Sequence, residues 1–296
     1  MGGSGVNDAA NKVESLMEAM PYLQKLAGKT VVIKYGGNAM INEELKDAVM
    51  HDVVLLKLLG ARPVLSHGGG PGINKMLDKL EIPVRFVNGL RYTSEDTMRV
   101  VEMVLVGQVN TELVGFINRL GGKAVGLSGV SGGIYHCHRR SEELGFVGDI
   151  DRVDPAPILA MLDAGYIPVV APVGTDGEGH TYNINGDTAA GKLAGALGAE
   201  KLILLTDIEG LCNDIKLRDV IRYLNVRDVQ ALKDKGTIAG GMIPKVDCCV
   251  QAIEEGVSSV HIIDGRKPHS ILYEAFSAEE LGTTIGTARP SVGIKW

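Results

Sequence analysis

Thr30-Val31-Val32-Ile33-Lys34-Tyr35-Gly36-Gly37 is the stretch on which the fold turns. Three consecutive β-branched residues, Val31, Val32 and Ile33, read as a strand covered on both faces, as strands of a parallel sheet are. The strand ends in a lysine and two glycines. Glycine lets backbone N–H groups approach a ligand closely, and a lysine is a compact point charge suited to phosphate. On these eight residues alone, a surface lysine beside an ordinary turn is the plainer reading. The pattern recurs, however: Val64-Leu65-Ser66 runs into His67-Gly68-Gly69-Gly70-Pro71-Gly72, and a helix follows from Ile73 to Leu80. Between the two strands a helix is expected over 42–59, with Leu45, Val49, Val53, Leu56 and Leu59 inward and Gly60 as its stop. Strand, glycine turn, helix, strand is a βαβ unit, which implies a parallel sheet.

The same alternation continues outward. Asn88-Gly89 is a hairpin turn signal, and Thr93 or Ser94 can cap a helix that runs to about Gly107 and on to residue 120. Arg91 therefore stands just before a helix start. Ala124 to Leu127 reads as a strand, and the polar segment from Ser131 to Asp151 as a hairpin excursion on the sheet edge. Helix 155–164 and strand 167–171 restore the α/β order. The Asp176-Gly177-Glu178-Gly179 loop is the expected boundary between two lobes, 27–178 and 179–296. The second lobe carries a helix over 188–197, a strand over 201–206 ending at Asp207, and a helix over 225–235. Gly240-Gly241-Met242-Ile243-Pro244-Lys245 then leads into a helix to Glu255, a strand over 259–263 and a helix over 269–276. Upstream of everything, residues 6–26 form an amphipathic arm with Val13, Leu16, Met17, Met20 and Leu23 on one face and a kink expected at Pro21. That stripe needs a partner, either its own subunit or another one.

Composition narrows the function classes. The chain has 296 residues, 45% apolar and 22% charged, enough for one large domain or two lobes with a sizeable core. Aromatics at 4% and a net charge of −6 argue against a nucleic-acid partner. No apolar run approaches the roughly 20 residues that span a bilayer, so no membrane is expected. Met1 to Gly5 reads as a flexible leader without the features of a signal peptide. The cysteines, Cys137, Cys212, Cys248 and Cys249, form no CxxC pair. In His136-Cys137-His138 alternate side chains on a strand face opposite ways, so no metal set is read there. A reduced, cytoplasmic compartment is the expectation.

Gly186-Asp187-Thr188-Ala189-Ala190-Gly191-Lys192 matches the first seven positions of a P-loop, but Leu193 stands where the magnesium-binding hydroxyl belongs. The segment also does not follow a buried strand, and a helix packed through small residues is expected instead. What remains is two lysines, Lys34 and Lys245, each beside a Gly-Gly pair, and a carboxylate, Asp187, at a helix start. Phosphoryl transfer asks for positioned reactants and positive charge on the moving group. Two lysines with an orienting aspartate supply that, with Mg²⁺ carried on the nucleotide.

At this point the motifs resemble those of the N-acetylglutamate kinases, within the amino acid kinase superfamily. Val32-Ile33-Lys34-Tyr35-Gly36-Gly37, His67-Gly68-Gly69-Gly70-Pro71, Asn88-Gly89-Leu90-Arg91, Asn183-Ile184-Asn185-Gly186-Asp187 and Gly240-Gly241-Met242-Ile243-Pro244-Lys245 follow in the family's order. The resemblance implies a three-layer α/β/α sandwich around a mainly parallel sheet. It implies an acyl amino acid in the first lobe, ATP in the second, and phosphorylation of N-acetyl-L-glutamate to the 5-phosphate in arginine biosynthesis. By position, Lys34, Asp187 and Lys245 would be catalytic. Gly69, Gly70, Arg91 and Asn183 would bind N-acetylglutamate; Gly36, Gly37, Asp207 and Gly210 would approach the nucleotide. Gly72, Tyr92 and Gly186 depart from the family's usual residues and bear on the substrate contacts and the helix start.

The rivals are the aspartate, glutamate 5-, carbamate and uridylate kinases, a non-catalytic amino acid sensor on the same fold, and a dinucleotide-binding protein. The first group is disfavoured by the Asn88–Arg91 segment, the second by the presence of Lys34, Asp187 and Lys245, the third by the absence of G-x-G-x-x-G after a strand. Family members with an N-terminal extension like residues 1–26 resemble hexamers, trimers of dimers joined by interlaced helices and inhibited by arginine. By position Tyr22, His261, Glu279 and Gly282 would contact that inhibitor. A PII-type signalling protein is left open as a further partner.

Overall fold

Val31 and Ile33 point to one face of the strand Thr30–Tyr35 and Val32 to the other, and all three are buried. Such two-sided burial belongs to a strand inside a sheet that carries helices on both faces. The structure, a computed structural model, describes residues 3–214, 219–276 and 281–288. In it Thr30–Tyr35 sits within an eight-stranded sheet. The order across the sheet is Tyr223–Asn225, Thr283–Gly286, Ser259–Asp264, Lys201–Thr206, Thr30–Tyr35, Arg62–His67, Ile167–Ala171 and Ala124–Ser128. The strands from Ser259–Asp264 to Ala124–Ser128 are all parallel, and Thr283–Gly286 runs against Ser259–Asp264.

On one face, Val31, Ile33 and Tyr35 pack with Val49, Val53 and Leu56 of the helix Glu43–Leu58 and with Leu113 and Ile117 of Thr111–Arg119. Ile271 and Ala275 of Ser270–Phe276 complete that layer. On the other face, Val32, Val64 and Leu202 pack against Ile158 and Leu162 of Ala156–Asp163, Ala190 and Leu193 of Gly186–Ala196, and Val246 and Cys249 of Met242–Glu254. The three-layer α/β/α arrangement expected from the sequence is therefore the fold.

Several local expectations change. The 131–151 excursion does not extend the main sheet. Tyr135–Arg139 and Gly148–Val153 form a hairpin that pairs with Val173–Thr175 and Thr181–Asn183 into a separate four-stranded sheet. Tyr135, Cys137 and Ile150 of that sheet enter the same core as Val32, which is why it lies over a face rather than along an edge. The Asp176–Gly179 loop is the turn between two of its strands. The helix expected over 225–235 begins later. Tyr223–Asn225 is an edge strand, and the Asn225 side chain accepts from Arg227 N–H to start a short 3₁₀ turn before the helix Val229–Asp234. The leader expected at Met1–Gly5 is helical from Gly3, within one helix Gly3–Leu26 that contains Pro21.

The helix expected from Thr93 or Ser94 to residue 120 is present as Glu95–Arg119. Ser94 caps it as expected, accepting from Thr97 N–H. It then runs unbroken for 25 residues through a π-helical middle, Met103–Asn110, and is long and apolar enough to cross a membrane by length and composition. The stretch is not a continuous apolar run, since Glu102, Gln108, Asn110 and Glu112 interrupt it. Its apolar residues have partners within the chain: Val100, Val101, Val104 and Leu105 pack on Ile73 and Leu77, and Leu113 and Ile117 join the sheet core.

Candidate active site

Tyr35 and His67 pair at the ends of adjacent parallel strands, so both glycine turns open at the same edge of the sheet. Ligands of open α/β sheets sit outside these carboxyl ends. The turns touch: Gly68 N–H donates to Tyr35 O at 2.8 Å. A Cβ at Gly36 would lie 2.7 Å from Lys34 Nζ, so glycine there leaves the lysine its lane. Gly37 has φ +69°, and a Cβ on it would lie 2.9 Å from either carboxylate oxygen of Asp207. Asp207, just past Lys201–Thr206, is thereby set against the first turn.

The two lysines come from distant parts of the chain and meet on one carboxylate. Lys34 Nζ lies 3.0 Å from Asp187 Oδ1, and Lys245 Nζ donates to Asp187 Oδ2 at 2.5 Å. Asp187 is held in the first turn of Gly186–Ala196, whose cap is Asn185: its side-chain oxygen accepts from the Asp187 and Thr188 N–H groups. Lys245 arrives on Met242–Glu254, which packs closely on that helix because Gly191 has no side chain; a Cβ there would lie 2.7 Å from Cys248 Sγ. Burial by itself would raise the Asp187 carboxyl, but the ammonium groups of Lys34 and Lys245 outweigh it and hold it down at about 2. The carboxylate stays ionised and balances one of two positive charges. The Lys34–Asp187–Lys245 cluster thus keeps one surplus positive charge, largely shielded from water, beside two glycine turns, with the Asp207 carboxylate at the first of them.

Next to it lies a cavity of about 160 Å³ lined by Gly69, Gly70, Arg91 and Asn183, with Ile184 and Gly186. Asn88 and Gly89 have φ of 49° and 81°, the paired positive values of a type I′ turn, and the hairpin they make carries Arg91. Arg91 is buried, stacks its guanidinium 4.8 Å from the Phe86 ring centroid, and donates Nη2 to Asn74 Oδ1 at 2.6 Å. Its Nη1 is buried with no hydrogen-bond partner among the described residues. A buried donor without an acceptor costs about 1–3 kcal/mol, more when charged, and a carboxylate entering this cavity would relieve it. Asn183 donates its side-chain amide to Thr93 Oγ1 at 3.2 Å.

The remaining predicted residues scatter. Gly210, φ +151°, abuts Thr283, whose Oγ1 would lie 2.8 Å from a Cβ there. Tyr22 lines a cavity of about 960 Å³ with Glu18, His269, Tyr273 and Phe276. His261 does not line it; the ring is buried between Ser259 Oγ at 2.8 Å and Glu274 Oε1 at 2.6 Å. Gly282 backs onto the neighbouring strand, where a Cβ would fall 2.0 Å from Ile262 O. Glu279 lies outside the described residues. Gly72 borders a separate cavity of about 300 Å³ with Lys46, Lys75 and Glu112, and the Tyr92 ring carries the Arg85 guanidinium at 4.3 Å. Sequence reasoning missed Asn74 and Phe86, which hold Arg91. Asn74 stands four residues after Gly70 on the expected helix, a spacing that placed it near the glycine turn.

The chain is similar to known proteins over most of its length. Residues 29–264 match the model of the amino acid kinase family. The acetylglutamate kinase of Heliobacterium modesticaldum is 52% identical over 290 residues, covering 94% of this chain and 98% of that one. That of Thermoanaerobacter pseudethanolicus is 51% identical over 282 residues and 94% of each chain. Among solved structures, the N-acetylglutamate synthase of Neisseria gonorrhoeae complexed with coenzyme A and N-acetyl-glutamate superposes with a TM-score of 0.82 at 26% identity. That match covers 94% of this chain and 64% of the synthase chain.

Proposed function

We infer that the chain, which belongs to the amino acid kinase family and within it to the acetylglutamate kinases, uses the site at the two glycine turns to transfer the γ-phosphoryl group of ATP to N-acetyl-L-glutamate. A side-chain carboxylate oxygen of the substrate attacks the γ-phosphorus, the bond from that phosphorus to the ADP oxygen breaks, and N-acetyl-L-glutamyl 5-phosphate and ADP leave. Both the nucleophile and the leaving group are anions, so no proton has to move and no general base is needed. The barrier is then mainly electrostatic and positional. The observation that carries the reading is the Lys34–Asp187–Lys245 cluster, with its surplus positive charge beside the cavity of Arg91.

In this reading Lys34 and Lys245 bear on the moving phosphoryl group and Asp187 keeps both aimed. Gly36 and Gly37 offer N–H groups to the phosphates, and Gly69 to the attacking carboxylate. Arg91 Nη1 pairs with a substrate carboxylate, and Gly70 and Asn183 complete that pocket. Asp207 and Gly210 stand on the nucleotide side. The acyl amino acid belongs to lobe 27–178 and the nucleotide to lobe 179–296. Magnesium suits this site only as a passenger on the nucleotide, because both Asp187 oxygens are taken by lysines and magnesium is commonly held through substrate phosphates.

The regulatory part of the proposal is a homo-oligomer, a hexamer built as a trimer of dimers, feedback-inhibited by arginine in the cytoplasm. In the single chain Val13, Met17 and Met20 of the N-terminal helix are 60%, 58% and 38% exposed, an apolar stripe that a second subunit would cover. Arginine would lie by Tyr22 in the cavity between that helix and Pro268–Phe276. The decisive experiment is a coupled assay of ADP release with N-acetyl-L-glutamate, L-glutamate and L-aspartate in parallel. Turnover dependent on the acetylated substrate is expected; preference for either free amino acid would overturn the reading.

A further inference from the structure

The π-helical middle of Glu95–Arg119 ends at Asn110, a buried amide in an apolar layer. Segments of π-helix are uncommon and concentrate at functional sites. Room for this side chain is made by a glycine on a different element, since a Cβ at Gly126 would lie 2.1 Å from Asn110 Oδ1. The amide nitrogen reaches Val169 O at 2.9 Å, Leu127 O at 3.2 Å and His67 Nε2 at 3.0 Å. Two of those three partners are carbonyls, which only accept. That fixes which end of the amide faces them; its two hydrogens are shared among three acceptors, and because an amide nitrogen only donates, His67 Nε2 can only accept. The imidazole proton must then sit on Nδ1, which donates to Gly68 O at 2.7 Å. Burial lowers the His67 pKa to about 4, so the ring stays neutral and keeps this tautomer.

A pinned Gly68 carbonyl has a consequence one bond further on. Across a trans peptide the C=O and the following N–H point in opposite directions. Gly69 N–H is therefore turned away from the imidazole. Among the described residues it has no hydrogen-bond partner, and Gly69 borders the cavity that Arg91 lines. The same π segment supports the turn by packing: a Cβ at Gly69 would lie 2.4 Å from Leu105 Cδ2. We propose that His67, with its tautomer set by Asn110, is a positioning residue that acts through the Gly68–Gly69 peptide, aiming the Gly69 N–H at the substrate carboxylate. The assignment of that carboxylate rests on the kinase reading above; the aim of the peptide does not.

The test is a pair of substitutions at His67. His67→Asn puts an amide N–H where the Nδ1–H stands and abandons Nε2. His67→Gln puts its amide at the Nε2 position and abandons the bond to Gly68 O. A merely structural buried histidine would suffer similarly from both. Loss of a hydrogen bond to a charged ligand corresponds to roughly a 10- to 100-fold change. His67→Gln is expected to lose that much in kcat/KM for N-acetyl-L-glutamate with an unchanged KM for ATP, and His67→Asn to retain near-normal values. Crystal structures of the two variants read the Gly68–Gly69 peptide directly: retained in His67→Asn, rotated in His67→Gln. Equal losses in the two variants, or an unmoved peptide in both, would overturn the proposal. Should the parent enzyme not use N-acetyl-L-glutamate at all, the kinase reading fails, and the peptide orientation still decides this one.

Discussion

Replacing Asp187 by asparagine keeps the shape of the side chain and removes the charge that both lysines face. The carboxyl sits at about 2 in the folded protein, against about 3.9 for a free aspartate, a difference of about 2.5 kcal/mol at neutral pH. The folded-state value is the lower one. That stabilisation is therefore present in full above pH ~4 and is lost as the pH falls through about 2. The variant also leaves Lys34 and Lys245, largely buried, facing one another without a counter-charge. Breaking a buried pair by removing one partner is costly for that reason, and the expected loss at pH 7 is about 3–5 kcal/mol of unfolding free energy. If the same 2.5 kcal/mol is what keeps the ammonium groups aimed in the transition state, kcat falls roughly 50- to 100-fold. Coupled ADP release with both substrates saturating measures the rate. Urea unfolding of parent and variant, repeated from pH 7 down toward pH 2, measures the stability, and the gap should narrow at the acid end. A variant with kcat within about threefold of the parent, or a stability gap independent of pH, would refute the reasoning.

Lys34→Ala and Lys245→Ala should each cut kcat about 10²-fold or more, since each ammonium acts on charge that develops in the transition state; near-normal turnover in both would rule out the two-lysine mechanism. Arg91→Ala should raise KM for N-acetyl-L-glutamate about 10-fold or more and leave KM for ATP in place; an effect on ATP alone would show that the cavity has been given to the wrong substrate. Deleting residues 1–25 should lower the mass in solution and abolish arginine inhibition while catalysis continues; a truncated protein that keeps its mass, or its full arginine sensitivity, would sink the regulatory proposal.

Much of the site was legible because its residues sit beside glycines that interrupt regular patterns. Lys34, Gly36 and Gly37 follow a run of β-branched residues, and Asp187 stands at an expected helix start. Arg91 follows the Asn88–Gly89 turn, whose φ values only such residues adopt at little cost. Less legible were residues whose chemistry depends on a partner far along the chain. Nothing in the local pattern of 103–110 distinguishes a π turn from an α turn, and nothing in Gly126 says that its missing side chain makes room for Asn110. The hairpin of Tyr135–Arg139 and Gly148–Val153 was readable as a hairpin, but not as half of a second sheet, because its other strands lie beyond an intervening helix and a strand of the main sheet.

By itself, then, the sequence determined the α/β alternation, the parallel sheet, the glycine turns and the identity of the charged residues beside them. Those depend on side-chain periodicity and on backbone freedom, both of which are local. Only the tertiary structure decided how closely Lys34 and Lys245 approach Asp187, that Arg91 keeps a buried donor without a partner among the described residues, and that His67 holds its proton on Nδ1. Each of these is set by distance and burial, which determine how strongly charges and hydrogen bonds act in a medium that excludes water. Residues separated by dozens or hundreds of positions acquire those properties only when the chain closes around them.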